Sequence, residues 1–400
     1  MPLNRRQWII SAGAAAGAAA LPGRATAASP PQPLPPPLPA TAFRERQDKL
    51  RAAARAQGLD ALFVTPCSNL AYSANLAIGR SERLTALLLF ADGPAVLVTP
   101  TFEEANHRKN AVIDDVQTWK EQEDPIALVA RLLQGKKSVG IEGSTAFETV
   151  SKLEKAAAAS VADASAVFDA LRRVKSIEEQ TLIRAAGERT TRAIAATHRR
   201  IRSGMTEEHV SNILDEEFKN LGVRGSGLVQ FGPNAAFPHG APEKRTLSRG
   251  DVVLIDCGCK VHGYNSDVTR TATFGSASDE VRKVFQIVEK AQTAGIEALH
   301  AGTIPEEADA AARKVIEDAG YGQFFEHRLG HGLGMDGHES PYVVRGNRAP
   351  LVAGNVVTVE PGIYLPGKFG VRIEDDYAVR PTSPPEGLSD RYLELEVLPD

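Results

Sequence analysis

Four hundred residues, 42% of them hydrophobic and 24% charged, are enough for a sizeable core and for two or three domains. A net charge of −4 leaves no basic surplus to neutralise phosphates, which argues against a nucleic-acid partner. The three cysteines, Cys67, Cys257 and Cys259, are odd in number and too few for a disulfide framework.

Residues 1–27 resemble a twin-arginine export signal: Arg5-Arg6 precede a mildly apolar Ala/Gly-rich run that ends in Ala25-Thr26-Ala27, a small-residue cleavage site. An ordinary secretory signal has the same outline. A membrane anchor does not, because Gly13, Gly17, Pro22 and Gly23 leave too short an apolar run to span about 30 Å of hydrocarbon. Cleavage would remove three arginines and no acid, taking the net charge from −4 to −7. The expected location is periplasmic or secreted, with no stable membrane insertion. Residues 28–41 form a Pro-rich linker, "SPPQPLPPPLPA" with seven prolines, expected to be an extended spacer.

Residues 42–170 alternate in a way that predicts an α/β domain. A helix is expected from Arg44 to Gln57, a strand at 61–65, and a hairpin of strands 86–90 and 95–99 turning through Ala91-Asp-Gly-Pro94. A short strand follows at 138–142. No catalytic cluster is visible in this part. The second domain, 171–400, opens on Ser176-Ile-Glu-Glu179, a capping box for a long helix, and Thr206-Glu-Glu-His209 starts another. Hairpin patterns then alternate with helices at 278–300 and 305–320, which makes the second domain α+β.

The chemistry concentrates there. In "VLIDCGCKVHGYNSDVTRT" a hairpin turn centred between Val261 and His262 would make Asp256 and Asp267 directly opposed neighbours, their Cβ atoms about 5 Å apart. Like charges so close repel unless a cation lies between them. Glu360 in "TVEPGIY" and Glu374 in "VRIED" repeat the arrangement around a turn centred on Gly367. His331, between Gly330 and Gly332, adds a nitrogen donor where the backbone can approach closely. Four carboxylates and one imidazole suit two divalent ions. Mainly oxygen donors favour Mn²⁺, with Co²⁺, Fe²⁺ and Zn²⁺ as competitors. Strand alternation points Cys257 and Cys259 away from Asp256, so the thiols should pack behind the site.

The motifs "DCGCKVHGYNSDVTRT", "GHGLGMDGHESP", "TVEPGIY" and "GVRIEDD" resemble those of the pita-bread metallopeptidases, the family of methionine aminopeptidases, Xaa-Pro aminopeptidases and Xaa-Pro dipeptidases, with creatinase as a metal-free relative. The resemblance runs from about Leu171 to the C-terminus, and the preceding domain is similar to the creatinase/prolidase N-terminal domain. It implies Asp256, Asp267, His331, Glu360 and Glu374 as metal ligands, with Asp267 and Glu374 bridging. It implies that His239 and His338 contact substrate or steady the tetrahedral intermediate, and that Arg372 stands beside the last ligand at the substrate side. Each of these three would serve equally as a counter-charge. Arg345 and Arg348 lie near where prolidases carry a carboxylate-binding arginine, and a solvated basic loop reads the same way.

The activity so implied is hydrolysis of an Xaa-Pro amide in a dipeptide or at a peptide N-terminus, in a homodimer. Glu360 would shuttle the proton to the leaving nitrogen, and His239 or His338 would donate to the oxyanion. A hydrolase or lyase acting on a small non-peptide molecule, or a binding module with a vestigial site, fits the same scaffold.

Overall fold

The computed structural model describes residues 32–400, so the export-signal reading of residues 1–27 lies outside it. The first domain runs α1 (Ala40–Ala56), β1 (Ala61–Val64), α2 (Ser68–Ala74), β2 (Ala86–Phe90), β3 (Ala95–Pro100), α3 (Glu104–Asn110), β4 (Asp115–Trp119), α4 (Pro125–Leu132), β5 (Ser138–Ile141), α5 (Phe147–Ala156), β6 (Ser160–Asp163) and α6 (Ser165–Arg172). Its six strands form one mixed sheet in the order β4-β3-β2-β1-β5-β6. Alternation sorts the side chains: Leu62, Val64, Leu87 and Leu89 pack with Leu50 of α1 and Phe168 of α6, while Phe63, Leu88 and Val98 face Val129 of α4 and Leu153 of α5. Helices therefore cover both faces.

The helix expected from Arg44 begins at Ala40, so the last two residues of the expected linker belong to α1. The stretch before it is extended but not free. Pro35 accepts a hydrogen bond from His262 Nε2 at 3.0 Å, and Leu38 packs against the core of the second domain.

The second domain comprises α7 (Ile177–Arg200), α8 (Glu207–Asn220), β7 (Arg224–Phe231), β8 (Val252–Val261), β9 (Tyr264–Asn265), β10 (Val268–Phe274), α9 (Asp279–Glu297), α10 (Pro305–Asp318), β11 (Gly330–Gly332), β12 (Glu339–Val343), β13 (Val356–Val359), β14 (Gly362–Leu365), β15 (Phe369–Arg372), β16 (Asp375–Ala378), β17 (Glu386–Gly387) and β18 (Glu396–Leu398). Both capping boxes form, at Ser176/Glu179 and Thr206/His209. One sheet has the order β18-β10-β8-β7 with β9 on β8, a second β12-β11-β13-β16-β17, and β14-β15 is a separate ribbon. Helices α7 and α8 close one apolar core with Val253, Ile255, Cys257 and Cys259. Helices α9 and α10 close another with Val252, Leu254, Val357 and Val371.

Register places the acids. The β8 hairpin turns at His262-Gly263, both with positive φ of 48° and 90°, a two-residue turn whose second position suits glycine. Val261 thus faces Tyr264, Cys257 faces Val268 and Asp256 faces Thr269. The expected turn centre was one residue too early, so Asp267 falls diagonal to Asp256 rather than opposite it. The displacement is two residues along the partner strand, and an even displacement keeps both side chains on one face.

The second hairpin pairs as expected, Leu365 with Phe369 and Gly362 with Arg372, around Gly367 at φ 72°. The same register resumes in β13 and β16, where Val359 faces Asp375. Glu360 and Glu374 occupy the break between the two ladders, where the chain passes from one sheet to the ribbon and back.

Candidate metal centre

Asp256 comes from β8, Asp267 from the segment between β9 and β10, His331 from the middle of β11, and Glu360 and Glu374 from the ladder break. All five line one cavity of about 390 Å³, together with Pro238, His239, His327, Arg328, His338 and Arg372. Ligand atoms lie within 4.8 Å of one another in three overlapping groups: Asp256, Asp267 and Glu374; His331, Glu360 and Glu374; and Asp267, His331 and His338. His331 Nε2 is 3.4 Å from Glu360 Oε1 and 3.8 Å from Asp267 Oδ2.

His331 is built to present that nitrogen. A Cβ on Gly330 would lie 2.0 Å from the Thr358 carbonyl oxygen, so only glycine lets β11 sit this close to β13. The Nδ1 of His331 donates to the Gly332 carbonyl at 3.0 Å, which fixes the tautomer and leaves the Nε2 lone pair facing the cavity. Burial, then neighbouring His338, pushes its pKa down to about 3, so the imidazole is neutral.

The carboxylates show the opposite stress. Burial first, then Glu374 and Asp256, raises Asp267 well above the usual carboxylate range. Burial and Glu374 do the same to Glu360, and burial and Asp256 raise Glu374 to about 7. Several buried acids within a few ångströms repel one another until protons or dications enter. An oxygen-rich donor set with one outward-looking imidazole lone pair fits divalent metal.

Residues 181–381 match the Metallopeptidase family M24, and residues 46–174 match the Creatinase/Prolidase N-terminal domain. An uncharacterized peptidase of Staphylococcus aureus (strain MSSA476) is 36% identical over 326 residues, covering 81% of this chain and 93% of the relative. The chain belongs to the M24 metallopeptidase family. Among solved structures, this M24 peptidase is similar to dipeptidase PepE from Mycobacterium ulcerans, with a TM-score of 0.85, 34% identity, and coverage of 91% of this chain and 100% of that one. A prolidase from Thermococcus sibiricus follows at TM-score 0.82 and 34% identity, covering 89% and 99%. An Xaa-Pro dipeptidase from Bacillus anthracis has TM-score 0.82 and 31% identity, covering 89% and 100%. The fold is thus a creatinase-type N-terminal domain followed by a pita-bread catalytic domain.

The structure places two expected substrate contacts of the M24 peptidase differently from each other. Arg345 is exposed on the turn after β12 and does not line the cavity, because the turn carries it outward. Arg372 lines the cavity, but its donors go to protein: Nη2 to Asp256 Oδ2 at 2.6 Å, Nε to Thr269 Oγ1 at 3.0 Å, and Nη1 to the Tyr364 hydroxyl at 2.9 Å. The guanidinium is thus a counter-charge to Asp256 in the cavity wall. His239 and His338 are exposed at the rim.

The cavity also holds residues the sequence reading missed. Tyr364 donates to His327 Nε2 at 2.7 Å, and His327 Nδ1 donates to the Arg328 carbonyl at 2.8 Å. Both nitrogens of His327 are therefore engaged, although it lies four residues before His331. Arg328 extends one Nη toward His338 Nδ1 at 3.4 Å and stacks 4.6 Å from the Tyr342 ring centroid. No ion pair joins it to a carboxylate among the described residues. His327 and Arg328, just before His331 in "EHRLGHG", were the available signal.

Proposed function

We propose that this M24 peptidase hydrolyses the amide bond of Xaa-Pro dipeptides, using two divalent ions, Mn²⁺ before Co²⁺, Fe²⁺ or Zn²⁺, and that it acts after export, in the periplasm or outside the cell. The observation that carries the reading is the convergence of Asp256, Asp267, His331, Glu360 and Glu374 on one cavity whose lining also includes His338 and Arg328. Similarity to structures named as a dipeptidase, a prolidase and an Xaa-Pro dipeptidase supports the substrate class.

Bound divalent ions would supply Lewis-acid activation of water and of the scissile carbonyl. Glu360, at the edge of the ligand-type set, takes the proton of the attacking water and passes it to the leaving nitrogen. Arginine only donates, so His338 Nδ1 accepts from Arg328 and the ring proton sits on Nε2, free to donate to the carbonyl oxygen as charge develops. A proline amide has no N–H, so the cavity has no leaving-group hydrogen to satisfy. Arg328, the cavity arginine without a carboxylate partner among the described residues, takes the free carboxylate of the dipeptide.

The test is proline release from Xaa-Pro dipeptides by the purified protein with Mn²⁺ and measured metal content. Metal-loaded protein that releases no proline would sink the reading.

A further inference from the structure

We propose that Arg172, at the end of the N-terminal domain, is a positioning residue for His338 across the domain junction. The proposal rests on His338 being the substrate-facing donor described above.

The loop 333–338 between β11 and β12 carries His338 and is rich in glycine, so its backbone has little intrinsic preference. His338 itself makes one hydrogen bond, the 3.4 Å contact with Arg328, and its ring lies 3.9 Å from that of His331. What fixes the loop are the two acids on either side of His338, Asp336 and Glu339. Both are held by the Nη2 of Arg172, which donates to Asp336 Oδ2 at 2.8 Å and to Glu339 Oε2.

The other end of the same guanidinium is anchored in the N-terminal domain. Its Nη1 donates to Asn69 Oδ1 at 2.8 Å and to Ser68 Oγ at 3.0 Å, and Ser68 Oγ donates in turn to Asp336 Oδ2 at 2.7 Å. Lys175 Nζ takes the second oxygen of Glu339 at 2.7 Å from a nearly inaccessible position. On the opposite side Asn265 donates to the carbonyls of Gly334 and Met335 at 2.8 and 3.0 Å.

The Arg172 side chain is 8% exposed and Glu339 9%, so this pair is shielded from solvent and salt, and a planar fork holds two acceptors in one orientation. Asp336 is 46% exposed and forms the gentle arm of the clamp. The N-terminal domain, which carries no ligand or proton donor of its own among the cavity-lining residues, thereby sets where the His338 Nε2 proton points. A displacement of about 1 Å in such a group is enough to cost about a hundredfold in rate.

The experiment uses the full Mn²⁺-loaded chain with Ala-Pro as substrate and the variants Arg172→Met, Arg172→Lys, Asp336→Asn and His338→Ala. Arg172→Met is expected to lower kcat by about tenfold to a hundredfold with KM within about twofold and metal content retained, and Arg172→Lys is expected to restore part of it. If Arg172→Met fails to fold, because it strands Glu339, Arg172→Lys and the half-exposed Asp336→Asn still decide. In the His338→Ala background neither should lower kcat further.

A second readout needs no turnover. In metal-free ¹³C-histidine-labelled protein, where no paramagnetic Mn²⁺ broadens it, the ring signal of His338, assigned from His338→Ala, should shift or broaden in Arg172→Lys and Asp336→Asn. Wild-type kcat and an unmoved His338 signal in both variants would overturn the clamp, as would the same kcat loss with and without His338. A wild-type protein inactive on Ala-Pro sinks the peptidase reading instead, and the ring signal then judges the clamp alone.

Discussion

Arg372 Nη2 donates to Asp256 Oδ2 at 2.6 Å from a guanidinium that is 3% exposed. Its Nε reaches Thr269 Oγ1, and Thr269 donates to Glu374 Oε2 at 2.7 Å, so one arginine orients two ligand-type carboxylates. Removing such support commonly costs about 10- to 100-fold in metal affinity. Arg372→Met should therefore weaken Mn²⁺ binding by about that factor in a calorimetric titration, and Arg372→Lys should recover little, since an ammonium cannot span Asp256, Thr269 and Tyr364 together. Unchanged affinity in Arg372→Met would refute the strut role.

Metal removal should reverse the pH dependence of stability. In the metal-free fold Asp267 and Glu360 are raised above their ordinary values and Glu374 rises to about 7 from an ordinary 4.5. At these acids the folded state then binds more protons than the unfolded one, so their contribution to stability is fully present below about pH 4.5 and is lost as pH rises through about 7. Metal-loaded protein behaves oppositely over this range, because binding needs the deprotonated carboxylates. Thermal melts at pH 5 and pH 8, with chelator and with Mn²⁺, check this; parallel trends would contradict it.

The thiols should be bystanders. Cys257 and Cys259 are each 3% exposed in the core under α7, and burial pushes both thiols up. Either cysteine changed to Ala should leave metal content intact and cost roughly 1 kcal/mol in denaturant unfolding, the value of about one buried methylene. Native protein should resist alkylation at both. Loss of metal in either variant would return the thiols to the site.

Arg328 predicts a substrate discrimination. Arg328→Met should raise KM for an Xaa-Pro dipeptide by about tenfold or more, as expected for a lost charge-assisted hydrogen bond worth about 1.5–3 kcal/mol, with little change for the corresponding Xaa-Pro amide. Arg345→Ala, out on its exposed turn, should change neither. Equal effects of Arg328→Met on acid and amide would remove the carboxylate contact.

Much of this was legible before any coordinates. The capping residues Ser176 and Thr206 place the starts of α7 and α8, because caps act within one turn. Asp256, Asp267, His331, Glu360 and Glu374 stood out as a set because clustered acids repel one another unless a cation or protons offset them. The parity of strand positions put the cysteines behind Asp256 even though the hairpin register was displaced by two residues, since an even displacement leaves every side chain on its face.

Tertiary structure decided the partners of the cations. Arg372, Arg345 and Arg328 look alike in the sequence, as single arginines in turn-rich stretches of the second domain. Which one is saturated, which is solvated and which is left facing the cavity depends on residues more than a hundred positions away, such as Asp256 for Arg372 and Asp336 and Glu339 for Arg172. Local propensity and periodicity follow from a residue's immediate neighbours; the charge balance of a buried guanidinium follows only from the packing of whole domains.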